Sequence, residues 1–363
     1  MAELDKGRRE QYRRKVGEDF PDSLTLGPFS KRLSLRYGHN PGDPAAFLVS
    51  DSVEGPTIVS SEILQEGRGL GFINLGDMDL GLELVRELAS QSGQFESVYV
   101  IVKHEIPSGV GRGASIKQAF QRAWSSDPLC SFGGVHVTSG TIDDAIAGEL
   151  VMPEKNVEVI FAPEYTPESL EILKGRKDLR VVKLTADIRS EVVDDGNNYK
   201  SVRGGFLVEQ RHIIRTRTAD DFEVVSARQP THEEIKAALF LWPIAYWTRS
   251  NVIVIGTENQ THGIGAGQQS RIDAADMAIR KANGANGRKQ FLRSKGTFMV
   301  SDAYMPEPDV VELAATNGVT GIMYPLGSLK DSLVIDAANS HNMTMLATRR
   351  PGTTDCERVF LHR

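Results

Sequence analysis

The chain has 363 residues, 40% hydrophobic and 25% charged, which suits a globular protein of two domains or one large one. Its net charge of -6 leaves no basic excess to neutralise the phosphates of a nucleic acid, although a small basic pocket for one phosphate stays open. Two cysteines, Cys130 and Cys356, are too few for a disulfide framework or a structural zinc site and read as reduced, buried or semi-buried residues.

The polar N-terminus lacks the apolar core of a secretory signal. No apolar run approaches the ~18 residues that span a bilayer. A cytoplasmic protein without membrane or nucleic-acid partners is expected. Residues 1–28 read as an arm made locally positive by Arg8, Arg9, Arg13, Arg14 and Lys15, more simply a solvated helix face than a binding tail. Strand-like Leu33 to Leu35 leads into Arg36 and Tyr37, which stand before an Asn-Pro-Gly turn. A planar guanidinium and a hydroxyl held there suit an anion. Residues 70–90 read as a loop and then a helix, with Asp77 or Asp79 as N-cap and Leu82, Val85 and Leu88 as its apolar stripe.

Val98 to Val102 is an unbroken β-prone run, the pattern of a strand buried on both faces. It ends on Lys103 and His104, and a Pro, a Ser and a Gly-x-Gly after them predict a sharp turn. Ligands of open α/β sheets bind beyond the carboxyl ends of strands. The pair therefore reads either as chemistry or as a solvated Lys beside a His that satisfies a carbonyl. A helix is predicted over Ser115 to Trp124, and Gly133-Gly134 lets a ligand approach the backbone. Thr141 to Leu150 reads as a helix capped by Thr141. Val157 to Ala162 reads as a buried strand carrying one acid, Glu158. Thr166-Pro167 starts a helix, Leu179 to Leu184 is a third strand, Asp194 to Asn198 a loop, and Phe206 to Gln210 a further strand.

Thr231 and Glu234 form a capping box for a helix that Pro243 should kink. Asn251 precedes the strand Val252 to Ile255. Gly263 to Gly267 reads as a glycine-rich turn opening a helix from Ile272 to Ala282. Free N–H groups there, with Arg271, would favour an anion, although tight packing also asks for glycine. Helices are predicted over Asp309 to Asn317 and Val334 to Ser340, and strands over Val319 to Tyr324 and Met343 to Thr348. The halves echo one another: VYVIVKH, PSGVGRG, helix and Ser126-Asp127, then VIVIG, GIGAGQQ, helix and Ser301-Asp302. The second copy adds a basic loop around Gly284 to Lys295. Two copies of one unit predict two similar α/β subdomains, placed at 29–205 and 206–363.

These motifs resemble a known family. RYGHNP, KHEIPSG, SFGG, APEY, RGGFLV, TRSN, GIGAGQQSRID, SDA, the Gly327-Ser328 turn and a final R-x-F-x-H occur in order from Arg36 to His362. They are similar to the formyltransferase portion of the bifunctional purine-biosynthesis enzyme that formylates 5-aminoimidazole-4-carboxamide ribonucleotide (AICAR) and then closes the ring to inosine monophosphate. The resemblance implies two tandem cytidine-deaminase-like three-layer subdomains with mixed sheets and a homodimer with sites at its interface. It also implies 10-formyltetrahydrofolate as co-substrate, and a stand-alone formyltransferase served by a separate IMP cyclohydrolase. Zinc deaminases of that fold carry P-C-x-x-C, which is absent here. No catalytic metal is expected, and a monovalent cation is left open.

By the same resemblance His104 is the base, Lys103 steadies the formyl oxygen or the leaving nitrogen, and Asn251 orients them. Arg36, Tyr37, Gly133, Glu158, Arg271, Tyr304 and Arg358 would hold the ribonucleotide. Ile272, Asp309, Ser328 and Leu329 would line the folate site, and His362 is structural or near the ligand. Asn251 has the rival reading of a turn residue, and Arg271 of a partner to Asp273. Tyr304 to Pro308 departs from the family's aromatic run, which bears on the pocket lining. The competing expectations are a formyltransferase with another donor or a related aminoimidazole nucleotide, and a non-catalytic nucleotide or folate sensor.

Overall fold

A computed structural model describes residues 20–91, 96–285, 292–353 and 356–359. The arm's basic residues, part of the Gly284–Lys295 loop and His362 lie outside these. A hairpin of β1 (Phe29–Ser34) and β2 (Ala46–Ser50) leads into the first α/β unit. That unit comprises β3 (Ser61–Gln65), α1 (Phe72–Ala89), β4 (Ser97–Lys103), β5 (Ile106–Gly113), α2 (Ile116–Ser126), the short α3 (Pro128–Ser131), β6 (Val135–Thr138), β7 (Thr141–Ile142), α4 (Asp144–Leu150), β8 (Val159–Ala162), β9 (Glu164–Tyr165), α5 (Pro167–Lys174) and β10 (Arg180–Leu184). A second hairpin, β11 (Asn197–Val202) and β12 (Gly205–Gln210), straddles residue 205. The second unit follows: β13 (Glu223–Val224), α6 (His232–Tyr246), β14 (Ile253–Gly256), β15 (Thr261–Gly265), α7 (Arg271–Ala282), β16 (Phe298–Ser301), α8 (Asp309–Thr316), β17 (Gly321–Tyr324), α9 (Asp331–Ser340) and β18 (Thr344–Ala347).

The internal repeat is real at the level of topology. One six-stranded sheet has the order β3-β10-β8-β6-β4-β5 and the other β13-β18-β17-β16-β14-β15. In both, three central strands run parallel and the flanking strands antiparallel. Period-two alternation sends successive side chains to different cores. Val98, Val100 and Val102 face a core shared by both units, with α1 and α6 in its middle; Tyr99 and Ile101 face an outer core beneath α2, α4 and α5. Ile253 and Ile255 likewise face a second outer core with α7, α8 and α9. The chain is thus a stack of helices, sheet, shared helices, sheet and helices, mixed α/β throughout. Among the described residues no helix is long and apolar enough to cross a membrane.

The first glycine run lies in β5, and Gly263 and Gly265 of the second lie in β15, not in the turns expected from their composition, while Gly267, at φ +68°, bends the chain beyond β15. β5 and β15 each carry glycines two apart because a helix lies directly on them. A Cβ at Gly109 would stand 2.0 Å from the Ala123 carbonyl oxygen and one at Gly111 2.4 Å from that of Ala119; at Gly263 and Gly265 the clashes are 2.0 Å with Ala278 and 1.9 Å with Ala274. The obstacles are helix backbone, which cannot yield, so helix–strand contact explains the glycine at these four positions. Gly109→Ala and Gly263→Ala should each destabilise the protein by roughly 1–3 kcal/mol, read as a lower urea midpoint at unchanged slope.

Other local expectations shift for identifiable reasons. α4 is capped by Asp143, whose side chain accepts from the Ile146 N–H at 2.9 Å; Thr141 instead pairs with Glu164 in a small β7–β9 ladder. The loop expected at Asp194 to Asn198 gives way to β11 at Asn197, where the hairpin ladder begins. Pro243 sits inside α6, which continues to Tyr246. The Thr231–Glu234 capping box and the Thr166-Pro167 start of α5 follow their sequence signals, and Ser115, the first residue of the predicted 115–124 helix, is the N-cap of α2. Cys130 is half-buried and Cys356 buried, both as free thiols.

Candidate active site

The first cluster forms where β4 ends and the parallel strands β6, β8 and β10 begin. Val102 pairs with Val135, so Lys103 lies just beyond the start of β6. Its ammonium donates to the Phe132 carbonyl at 2.7 Å. Gly133, at φ +77°, sits beneath it: a Cβ there would be 3.5 Å from Lys103 Nζ and 3.9 Å from Glu158 Oε1. Any other residue would be strained in that conformation and would fill the space between the cation and the carboxylate. Glu158 precedes β8 and is tied by its backbone N–H to the Gly134 carbonyl. Its carboxylate receives the Asn74 amide at 3.4 Å and faces Arg180 at 3.5 Å. Arg180 is buried and donates to the Gly69 carbonyl at 2.8 Å, which links the cluster to the loop carrying Arg36 and Tyr37. Arg36 lies over the Tyr37 ring at 5.1 Å, and its N–H donates to the Leu70 carbonyl. Arg36, Tyr37, Lys103, Gly133 and Glu158 therefore belong to one surface.

His104 is exposed at the edge of this surface. It and Glu105 form the two-residue turn between β4 and β5, both at φ 57°. Such turns usually contain Asn or Gly at these positions, and each non-glycine residue held there costs about 1–3 kcal/mol. A buried carboxylate stabilises the turn: Asp77 accepts from the His104 N–H at 3.3 Å and the Glu105 N–H at 2.6 Å. Asp77 is therefore not a helix cap. α1 begins at Phe72, and the Asn74 side chain serves the N-cap Gly71 N–H. Burial pushes the Asp77 carboxyl up to about 7, the two amides acting against it and Glu105 and Glu158 adding to it.

The second cluster forms before β14 and after β16 and β17. Asn251 is bound to Gln268 through both its backbone and its side-chain amide, the latter donating at 2.7 Å to the Gln268 carbonyl. Arg271 does not pair with Asp273, which engages Ser270 Oγ at 2.5 Å. Its partner is the fully buried Asp302, which also accepts from the Ser250 hydroxyl and from the Val252 N–H at 3.3 Å. Burial raises the Asp302 carboxyl despite the pull of Arg271. Arg358 donates to the Leu326 carbonyl at 3.3 Å and, with Tyr304, flanks Gly327 at φ +151°. Asp331 accepts the Gly327 and Ser328 amides at 2.9 and 3.2 Å, which shapes the loop bearing the exposed Leu329. A Lys330–Glu307 ion pair ties that loop to the Tyr304–Pro308 segment. Asp309 opens α8, exposed, and Ile272 packs partly against the second outer core.

The hydrogen bonds above stay within one unit or the other, so the chain carries two separate clusters. They use opposite ends of equivalent sheets: the first lies at the amino ends of its parallel strands, the second at the carboxyl ends. The second cluster thus lies beyond the carboxyl ends of its parallel strands, and Lys103 and His104 beyond that of β4, which runs antiparallel to β6, while Gly133, Glu158 and Arg180 lie at the amino ends of β6, β8 and β10. The junction of the sheets accounts for this. β15 runs antiparallel to β5 at the Gly111–Gln260 bridge, so the His104 turn and the Asn251 end of β14 lie on the same side of that bridge.

A family model described as AICARFT/IMPCHase bienzyme matches residues 2–281. The chain belongs to this family. The match spans the whole first cluster and, in the second, Asn251, Arg271 and Ile272. Membership indicates a purine-biosynthesis enzyme of transferase type. Sequence reasoning missed Asn74, Asp77, Arg180, Ser250 and Asp302. Asp77 had a signal, an acid set among Leu75, Met78 and Leu80 on an apolar helix, which asks for a buried partner.

Proposed function

We propose that this AICARFT/IMPCHase family member transfers the formyl group of 10-formyltetrahydrofolate to the 5-amino group of AICAR. The observation that carries the reading is the His104 turn: an exposed imidazole on a fixed backbone, beside a lysine whose ammonium stands over an open glycine. An aromatic amine is a weak nucleophile, so a base must take its proton during attack on the formyl carbon. Imidazole titrates near neutrality and suits that role. Lys103 would stabilise negative charge on the formyl oxygen or hand a proton to the leaving folate nitrogen. Asn251 orients the reacting groups. Arg36, Tyr37, Gly133, Glu158, Arg271, Tyr304 and Arg358 hold the ribonucleotide, with guanidinium groups on its phosphate and carboxamide oxygens. Ile272, Asp309, Ser328 and Leu329 line the folate site.

Since the two clusters lie in different units, we read them as half-sites, the working enzyme as a homodimer whose second copy completes each site, and each unit as deaminase-like. The product needs a cyclohydrolase to close the ring. The test is to mix purified protein, AICAR and 10-formyltetrahydrofolate and follow tetrahydrofolate release by absorbance. Turnover that requires both substrates is expected. AICAR binding by calorimetry without turnover would instead favour another donor, or a sensor.

A further inference from the structure

We propose that Asp77 is a positioning residue for formyl transfer, its carboxylate holding the His104–Glu105 turn in the left-handed conformation that presents the imidazole to the acceptor amine. The inference rests on the reading of His104 as base. Its own support is geometric. The turn places two consecutive non-glycine residues at φ 57°. The N–H groups of both are the ones a two-residue hairpin leaves outside its ladder, and both are taken by one carboxylate. That carboxylate is 3% exposed and sits in the second turn of α1, a helix anchored in the shared core. The Glu105 side chain also folds back onto the same helix: a Cβ at Gly76 would stand 2.6 Å from its Oε1. The turn is thus seated on α1 by its amides and by one side chain.

An ionised carboxylate can accept both amides, whereas a carboxylic acid or an amide side chain keeps one good acceptor. The charged groups near Asp77 are Glu105 on the turn and Glu158 ahead of β8, and both oppose its ionisation. With the group pushed up to about 7, the fraction of turns held by both bonds rises across neutral pH. Asp77 should therefore shape the acid limb of the rate profile.

Asp77→Asn, Asp77→Asn with Glu105→Gly, and the native chain separate the outcomes. The account predicts that Asp77→Asn lowers kcat by roughly 10- to 100-fold, the range expected for small misplacement of a reacting group. KM for AICAR and the urea midpoint should stay near native. The Asp77 ionisation should disappear from the acid limb of the pH profile. Glycine at position 105 adopts positive φ without strain, so the double variant should recover a substantial part of kcat. Native kcat in Asp77→Asn would overturn the inference and leave the formyltransferase reading intact. So would a loss that follows the urea midpoint and is not rescued by Glu105→Gly. If the native chain does not turn over at all, hydrogen exchange at the His104 and Glu105 amides still decides whether the clamp exists. Protection in the native chain that is lost in Asp77→Asn supports it, and equal exchange contradicts it.

Discussion

Substituting His104 by alanine should lower kcat for formyl transfer by roughly 10²- to 10⁴-fold, the contribution of a positioned general base. AICAR affinity should change little, because the groups assigned to the ribonucleotide lie elsewhere: Arg36, Tyr37 and Glu158 are held by their own hydrogen bonds to the Gly69–Asn74 segment and to Arg180. The turn itself should survive, since its backbone bonds to Asp77 do not involve the imidazole. The effect is therefore confined to kcat, and calorimetry with AICAR alongside the rate assay separates the two terms. A parallel loss of affinity would mean that the imidazole grips the nucleotide, which a sensor would also require.

The second large effect is on stability. Glu357 lies in the segment carrying Arg358 and is only 3% exposed. Its carboxylate accepts from Trp242 Nε1 at 3.0 Å, from the Arg215 and Thr216 amides at 2.5 and 2.8 Å, and meets His212 Nε2 at 3.0 Å. Its backbone pairs with Thr348. One side chain thus joins the C-terminal segment to α6 and to the stretch before β13. Glu357→Ala leaves a buried indole N–H and two amides without a partner and should cost roughly 3–5 kcal/mol.

The pH dependence has a definite sign. These hydrogen bonds hold the carboxyl at about 2, below its ordinary 4.5, in spite of burial. Its stabilisation is therefore complete above pH 4.5 and is lost as pH falls through 4.5 towards 2. The gap in urea midpoint between native and Glu357→Gln protein should narrow over that window, and a gap independent of pH would contradict the assignment. Because Arg358 is the next residue, Glu357→Ala should also weaken AICAR binding.

What the sequence discloses follows the range of the interaction. Strands β4 and β8, the starts of α5 and α6, and the duplication were legible because alternation, N-cap side chains and repeats are local signals. The glycine runs misled because composition marks them as turns, while the requirement comes from helices packed across β5 and β15. Lys103, His104 and Arg358 could be picked out by motif. The roles of Asp77 and Asp302 could not, because their partners, His104 with Glu105 and Arg271 with Ser250, lie 27 to 52 residues away in the chain. Only the fold brings them together.

The most direct measurement uses 10-formyltetrahydrofolate labelled with carbon-13 in the formyl group, incubated with AICAR and either native or His104→Ala protein and read by NMR. The account predicts that the label moves to the 5-amino nitrogen of AICAR in the native reaction and stays on the folate in the variant. Label released to water as formate, label that never leaves the folate with native protein, or equal transfer by the variant would contradict it.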